Sequence, residues 1–271
     1  MYGKGLTWLI AVAIGLVAVV AAAIVSIPGE QASGPSLRVL ILDNSLERPI
    51  YRPERQWAVF LKGVPFDRVH MPSLEADVAL ESYTHMIITG STASVVEPNE
   101  WIDAEAALVR DAVEMDLAIL GSCFGHQMLV YALSGPEYVQ HAEEPEIGWI
   151  EIRMVETEAA GDPVFAEIPD IWHAFAWHSD EVIDAPAPWT VLGSSSDCDV
   201  HVIRYGGANI WGLQSHPETP PHTAKMLLWL QRIFFEWDSE EIDDALCQTP
   251  EDDGMAAAIV ERFLTVGESE L

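Results

Sequence analysis

Three short stretches constrain the architecture most. LRVLILDNS at residues 37–45, THMIITGS at 84–91 and LAILGSC at 117–123 are apolar without alternation, and each closes on polar or small residues. A strand buried on both faces reads this way, because crossover helices cover both sides of a parallel sheet. Each stretch is followed by a segment with helical patterning: RPERQWAVFLKG at 52–63, NEWIDAEAALVRDAVEMD at 99–116 and FGHQMLVYAL at 124–133. Strand and helix alternating three times predict an α/β fold, an open and mostly parallel sheet flanked by helices.

The middle of the chain changes character. IGWIEIRMV at 147–155 and WTVLGSSS at 189–196 read as edge or antiparallel strands, and HVIRYGGANIWGLQSHPE at 201–218 reads as a hairpin. They form a small antiparallel extension. TAKMLLWLQRIFFEW at 223–237 is a helix that closes a catalytic body over residues 37–237. Beyond it, residues 238–271 form an exposed acidic tail, in which MAAAIVERFLTV makes a terminal helix. At 271 residues there is room for one principal domain and not for two full catalytic ones.

Charge excludes several partners. With 43 Asp and Glu against 13 Lys and Arg, the net charge is -30, a field that repels nucleic acid and anionic lipid head groups. An apolar fraction of 49% marks a folded chain and not an acidic disordered one. A salt-rich cytoplasm would screen such a surface, so a halophilic source is expected. Cys123, Cys198 and Cys247 contain no CxxC and signal neither a disulfide framework nor a cysteine zinc site; a reducing compartment fits.

The first 27 residues stand apart. Residues 5–27 carry no charge and would, as an apolar helix, cross a hydrocarbon layer of roughly 30 Å. The run exceeds the roughly 7 to 15 apolar residues of an export signal. It reads as a membrane anchor joined by a linker at 28–36, with a cleaved signal or a misassigned translation start as the alternatives. Lys4 and Arg38 nearly balance across it, so orientation is not set by flanking charge.

The chemistry centres on GSCFGHQML at 121–129, where Cys123 ends a strand and precedes a helix. Groups at the carboxyl ends of such strands face the ligand crevice. Gly121 and Gly125 relieve crowding at the turn, while the helix amides and dipole favour a thiolate. A nucleophilic thiolate needs a histidine base and a group that orients it. LQSHPETPPH at 213–222 supplies His216 and Glu218, with Pro217 restricting the backbone between them. His126, three residues into the helix, would turn towards packing or solvent. The prolines deny His216, Glu218 and His222 the helix that an HExxH metal site uses. GxxxxGK[ST] and GxGxxG loops are absent, so ATP or a dinucleotide has no local support, and chemistry through a cysteine nucleophile requires no metal or organic cofactor.

IITGS, GSCFGHQML and QSHPE in this order, with WHSDEV at 177–182, resemble the class I glutamine amidotransferase domain over residues 37–237. The overall plan is similar to stand-alone domains like the amidotransferase part of GMP synthase. The resemblance implies hydrolysis of the glutamine side-chain amide through a γ-glutamyl thioester, with ammonia often delivered to a synthetase partner. Matched by motif, Cys123 is the nucleophile, His216 the base and acid, and Glu218 its orienting carboxylate. The backbone amides of Gly90 and Phe124 are the candidate oxyanion donors. His178 falls on the family's substrate-side loop, and Gln127 either lines the pocket or sits on the polar side of its helix. The chain has no room for a synthetase domain, so ammonia would pass to a separate protein. The same triad could instead cleave another γ-glutamyl compound, or the site could serve a noncatalytic binding module. A working thiolate places the domain on the cytoplasmic side.

Overall fold

The computed structural model describes residues 36–271 apart from 49, 75–76, 98–99, 235–239, 251–252 and 268–271. In chain order the elements are β1 (Val39–Asp43), α1 (Pro53–Ala58), β2 (Phe66–His70), β3 (His85–Ile88), α2 (Glu100–Glu114), β4 (Ala118–Ser122) and α3 (Phe124–Leu133). They continue with β5 (Val139–Met154), α4 (Glu156–Ala159), β6 (Ile171–Val182), β7 (Trp189–Ser194), β8 (Val202–Tyr205), β9 (Ile210–Leu213), α5 (Pro221–Phe234), α6 (Glu240–Cys247) and α7 (Met255–Phe263).

One nine-stranded sheet organises the fold, in the order β2-β1-β3-β4-β9-β8-β7-β5-β6. The run from β2 to β9 is parallel, and every pair from β9 to β6 is antiparallel. The sheet is therefore mixed and not mostly parallel, and its antiparallel part is no small extension. The cause is the hairpin: β9 joins the parallel half, so its partner β8 must run the other way, and β7, β5 and β6 continue the alternation beyond it.

Period-two alternation divides the central strands between two cores. Leu40, Leu42, Met86, Ile88 and Ile119 face one side, where Ile102 and Val109 of α2 and Phe124 and Met128 of α3 cover them. Val39, Ile41, Ile87, Ala118 and Leu120 face the other, with Trp57 of α1 and with Ile259, Val260 and Phe263 of α7. That double burial is why these strands are continuously apolar in sequence.

The carboxy-terminal stretch is more than an exposed acidic tail. Ile259, Val260 and Phe263 of α7 are at most 1% exposed, and burying each such side chain contributes roughly 2 kcal/mol. Ile242 and Ala245 of α6 pack with Phe175, Ala224 and Leu228, although the helix opens on Glu240, Glu241 and Asp243. Acids crowd its outer face while a narrow apolar stripe docks. No helix among the described residues is long and apolar enough to cross a membrane. Residues 5–27, read above as an anchoring apolar helix, lie outside the described residues.

Candidate active site

Parallel pairing of β4 with β9 builds the site. Their register sets Ser122 beside Leu213, so segments about ninety residues apart in sequence end together at the carboxyl ends of two central parallel strands. The Cys123 amide donates to the Leu213 carbonyl at 2.7 Å, tying the two ends directly. Cys123 itself has φ 50° and ψ -108°, a backbone conformation that side chains other than glycine rarely adopt. Strain of this kind costs on the order of 1–3 kcal/mol and holds a residue in a sharp turn only when its surroundings enforce it. They do so here by close approach. A Cβ at Gly125 would lie 2.3 Å from the Ile88 carbonyl oxygen, and one at Gly121 would lie 2.5 Å from the Gly125 oxygen. Only glycines let α3 start this close to β3 and β4.

His216 follows β9 by three residues, and its amide donates to the Phe175 carbonyl of β6 at 2.7 Å. Its Nδ1 is 2.9 Å from Glu218 Oε1, and both side chains are buried. Burial alone would lower the imidazole pKa, but the Cys123 sulfur and the Glu218 carboxylate override it and raise the ring to about 10. Cys123, 4% exposed, places Sγ 3.7 Å from the Trp177 carbonyl, to which the thiol can donate. The three residues named from the sequence as a triad are thus brought together, with the carboxylate on the Nδ1 side of the imidazole and the sulfur interacting with the same ring.

The other expected residues fall into two groups. Gly90 and Phe124 border the Cys-His-Glu constellation. Gly90 packs on the His216 ring, and Phe124 opens α3, so its amide has no partner within the helix. Gln127 and His178 are engaged by protein groups. Gln127 Nε2 donates to the Asp180 carbonyl at 2.8 Å and to Gln214 Oε1 at 3.3 Å. His178 lies on β6 and not on a loop, with Nδ1 3.0 Å from the Asp180 carbonyl and Nε2 2.9 Å from Glu146 Oε2. In this arrangement neither ring nitrogen is left for a substrate. His126 packs inward, unexposed, against Gly212, and burial lowers its pKa to about 3; it is no base for Cys123.

Tyr51 was not legible in the sequence. Its hydroxyl is 2.9 Å from where a Gly90 Cβ would stand, and burial first, then the charges of Glu218 and Cys123, push its pKa well up. It follows β1 by an irregular stretch whose course no periodicity specifies. A cleft of about 430 Å³ opens beside His216 and Glu218, with Gln56, Trp149 and Phe175 in its wall; Cys123 does not line it, so it is not where an acyl group would form.

A cysteine on a strand-to-helix turn, with an imidazole and a carboxylate delivered from the end of the neighbouring parallel strand, defines an α/β protein with a Cys-His-Glu constellation. The chain belongs to the class-I glutamine amidotransferase family, whose model matches residues 40–235. It is 32% identical over 113 residues to a subunit of the glutamine-hydrolyzing GMP synthase of Methanosphaera stadtmanae, covering 42% of this chain and 57% of that protein. It is 30% identical over 165 residues to gamma-glutamyl peptidase 5 of Arabidopsis thaliana, covering 60% and 62% of the two chains. The match thus spans little more than half the length of these relatives. Among solved structures, a glutamine amidotransferase of Thermotoga maritima superposes with a TM-score of 0.70 at 22% identity, over 84% of this chain and 98% of that one, a likeness of fold.

Proposed function

We propose that the protein hydrolyses the side-chain amide of glutamine through a thioester on Cys123. The observation that carries this reading is the meeting of Cys123, His216 and Glu218 at the ends of β4 and β9, with the Gly90 turn against the imidazole. Cys123 thiolate attacks the amide carbon, and the amides of Gly90 and Phe124 stabilise the oxyanion; one such donor contributes about 3 kcal/mol to the transition state. His216, protonated, gives its proton to the departing nitrogen, so ammonia leaves and the γ-glutamyl thioester remains. The now neutral imidazole takes a proton from water, the hydroxide attacks the thioester, and glutamate is released as Cys123 is regenerated. Glu218 holds the imidazole and stabilises its charge.

The ammonia is passed to a separate synthetase, a reading supported by the relative named as one subunit of a GMP synthase. A γ-glutamyl peptide is the second substrate reading, favoured by the relative named gamma-glutamyl peptidase. The chemistry needs a reduced thiolate, so the domain belongs on the cytoplasmic side. Glutamate release from glutamine and from γ-glutamyl peptides, measured in molar salt, decides between the substrates. Glutamine turnover that Cys123→Ala abolishes is the expected result. Peptide turnover far above glutamine turnover would overturn the preferred substrate. A folded protein whose Cys123 resists a glutamine-like electrophile would be a binding module.

A further inference from the structure

Behind the nucleophile lies a second polar cluster that the proposed chemistry does not use. Glu146 of β5, His178 of β6 and His201, just before β8, bring one carboxylate oxygen and two imidazole nitrogens within 4.8 Å of one another, all buried. Glu146 Oε2 is 2.9 Å from His178 Nε2 and 3.7 Å from His201 Nε2. Ser195 Oγ donates to the other oxygen, Oε1, at 2.6 Å.

Hydrogen-bond roles in this cluster do not close without a positive charge. The Asp180 carbonyl beside His178 Nδ1 can only accept, so Nδ1 carries the ring proton. Nε2 of the neutral ring then turns a lone pair on a carboxylate oxygen 2.9 Å away, acceptor facing acceptor. Either a second proton or a cation must lie between them. His201 favours the cation. It is 0% exposed, and neither of its nitrogens lies within normal hydrogen-bond distance of a partner, its Nε2 standing 3.7 Å from the same Glu146 oxygen. A proton shared by His178 and Glu146 would leave His201 unsatisfied, whereas an ion would engage all three.

We propose that Glu146, His178 and His201 form a buried site for a divalent ion of the zinc type. Ligand atoms about 2.0–2.2 Å from a tetrahedral ion stand roughly 3.3 Å apart, and the two separations from Glu146 Oε2 straddle that value. Two imidazoles and one carboxylate suit zinc better than magnesium or calcium, which favour oxygen alone. The outer contacts are those a metal site needs: the Asp180 carbonyl orients His178, and the Ser195 hydroxyl orients Glu146. The fourth position falls to water. The ion joins three chain segments, and the residue next to His178 is Trp177, whose carbonyl faces Cys123 Sγ. Its role is to clip the antiparallel half of the sheet behind the nucleophile, apart from the HPETPPH histidines.

Zinc content of the full chain, and Zn²⁺ titration of the chelator-treated protein against a chromogenic competitor, test this independently of any turnover. About one zinc per chain is expected, retained in Cys123→Ala and in His222→Ala, with a rise in Tm on zinc addition. His201→Gln should lose at least about tenfold in affinity and most of the rise in Tm. If that variant does not fold, Ser195→Ala, which removes no ligand but takes away the hydroxyl that orients Glu146 and accepts from the Asp197 and Cys198 amides, should weaken zinc by about tenfold. A wild-type chain that binds no stoichiometric zinc would overturn the site and leave an imidazolium-carboxylate pair. Equal affinity in wild type and His201→Gln would overturn it as well.

Discussion

Adding one methyl group at Gly90 tests the geometry on which the proposed chemistry depends. An alanine Cβ there would lie 2.5 Å from His216 Cε1 and 2.9 Å from the Tyr51 hydroxyl, where ordinary contacts begin at 3.4 Å. The imidazole would have to retreat by about 0.9 Å, yet its Nδ1 is tied to Glu218 at 2.9 Å and its backbone to Phe175 at 2.7 Å. Retreat therefore costs alignment with Cys123. Misplacing a catalytic group by about 1 Å costs on the order of 100-fold, or about 2.7 kcal/mol of barrier. Overpacking of this kind destabilises by roughly 1–3 kcal/mol, which a single domain of this size can bear. The Gly90 amide survives the substitution, so a loss reports on the ring and not on an oxyanion donor. Glutamate release, with Tm measured in parallel, should show kcat down about 100-fold in Gly90→Ala and unchanged in Gly161→Ala, where a Cβ meets nothing within 4 Å. A Gly90→Ala enzyme within about threefold of wild type would refute the packing of His216 on the Gly90 turn.

Other perturbations reach different parts of the molecule. Glu218→Gln removes one of the two charges that raise His216 to about 10, so the alkaline limb of the pH profile for Cys123 alkylation should move to lower pH. An unmoved limb would show that Glu218 orients without charge. Glu105, buried against Asn44 Nδ2 at 2.9 Å, has its pKa raised by burial from 4.5 to about 8. Its contribution to stability is therefore full below pH 4.5 and is lost as the pH rises through 8, so Glu105→Gln should stabilise the protein at pH 7.5 by roughly 1–3 kcal/mol in urea melts. Destabilisation at that pH would mean that the carboxylate is solvated. His85 is depressed by burial from 6.5 to about 4, so its contribution is present above pH 6.5 and is lost as the pH falls towards 4, by about 3 kcal/mol. Urea melts between pH 7.5 and 4.5 should show a smaller acid loss in His85→Gln than in wild type.

Local pattern carried much of this protein. The continuous apolar runs of β1, β3 and β4 announced burial on both faces, because two cores, one on each side, take alternate residues of every strand. Gly121, Cys123 and Gly125 announced a sharp turn, and HPE announced an imidazole with a carboxylate two residues on. Edge and docking elements were harder to read. β2, FDRVH, is half-buried along most of its length and lacks the apolar signal, and the apolar stripe of α6 is only Ile242, Ala245 and Leu246 among acids. His178 read as a residue of a substrate-side loop because WHSDEV resembles that loop of the family, while as part of β6 its neighbours are Glu146 and the Asp180 backbone.

What the amino-acid sequence determined by itself was the kind of chemistry: a thiol on a strand-to-helix turn and an imidazole-carboxylate pair, each set by residues a few positions apart. What only the tertiary structure decided was which of them meet. Strand order placed β9 beside β4 and so carried to Cys123 the His216 that the sequence had already preferred to His126, and it turned half the sheet antiparallel. It also drew Glu146, His178 and His201 together from separate segments. Propensity and periodicity act over a turn or a strand, whereas pairing between distant strands is settled by the burial of the whole sheet, and no stretch of ten residues contains that information.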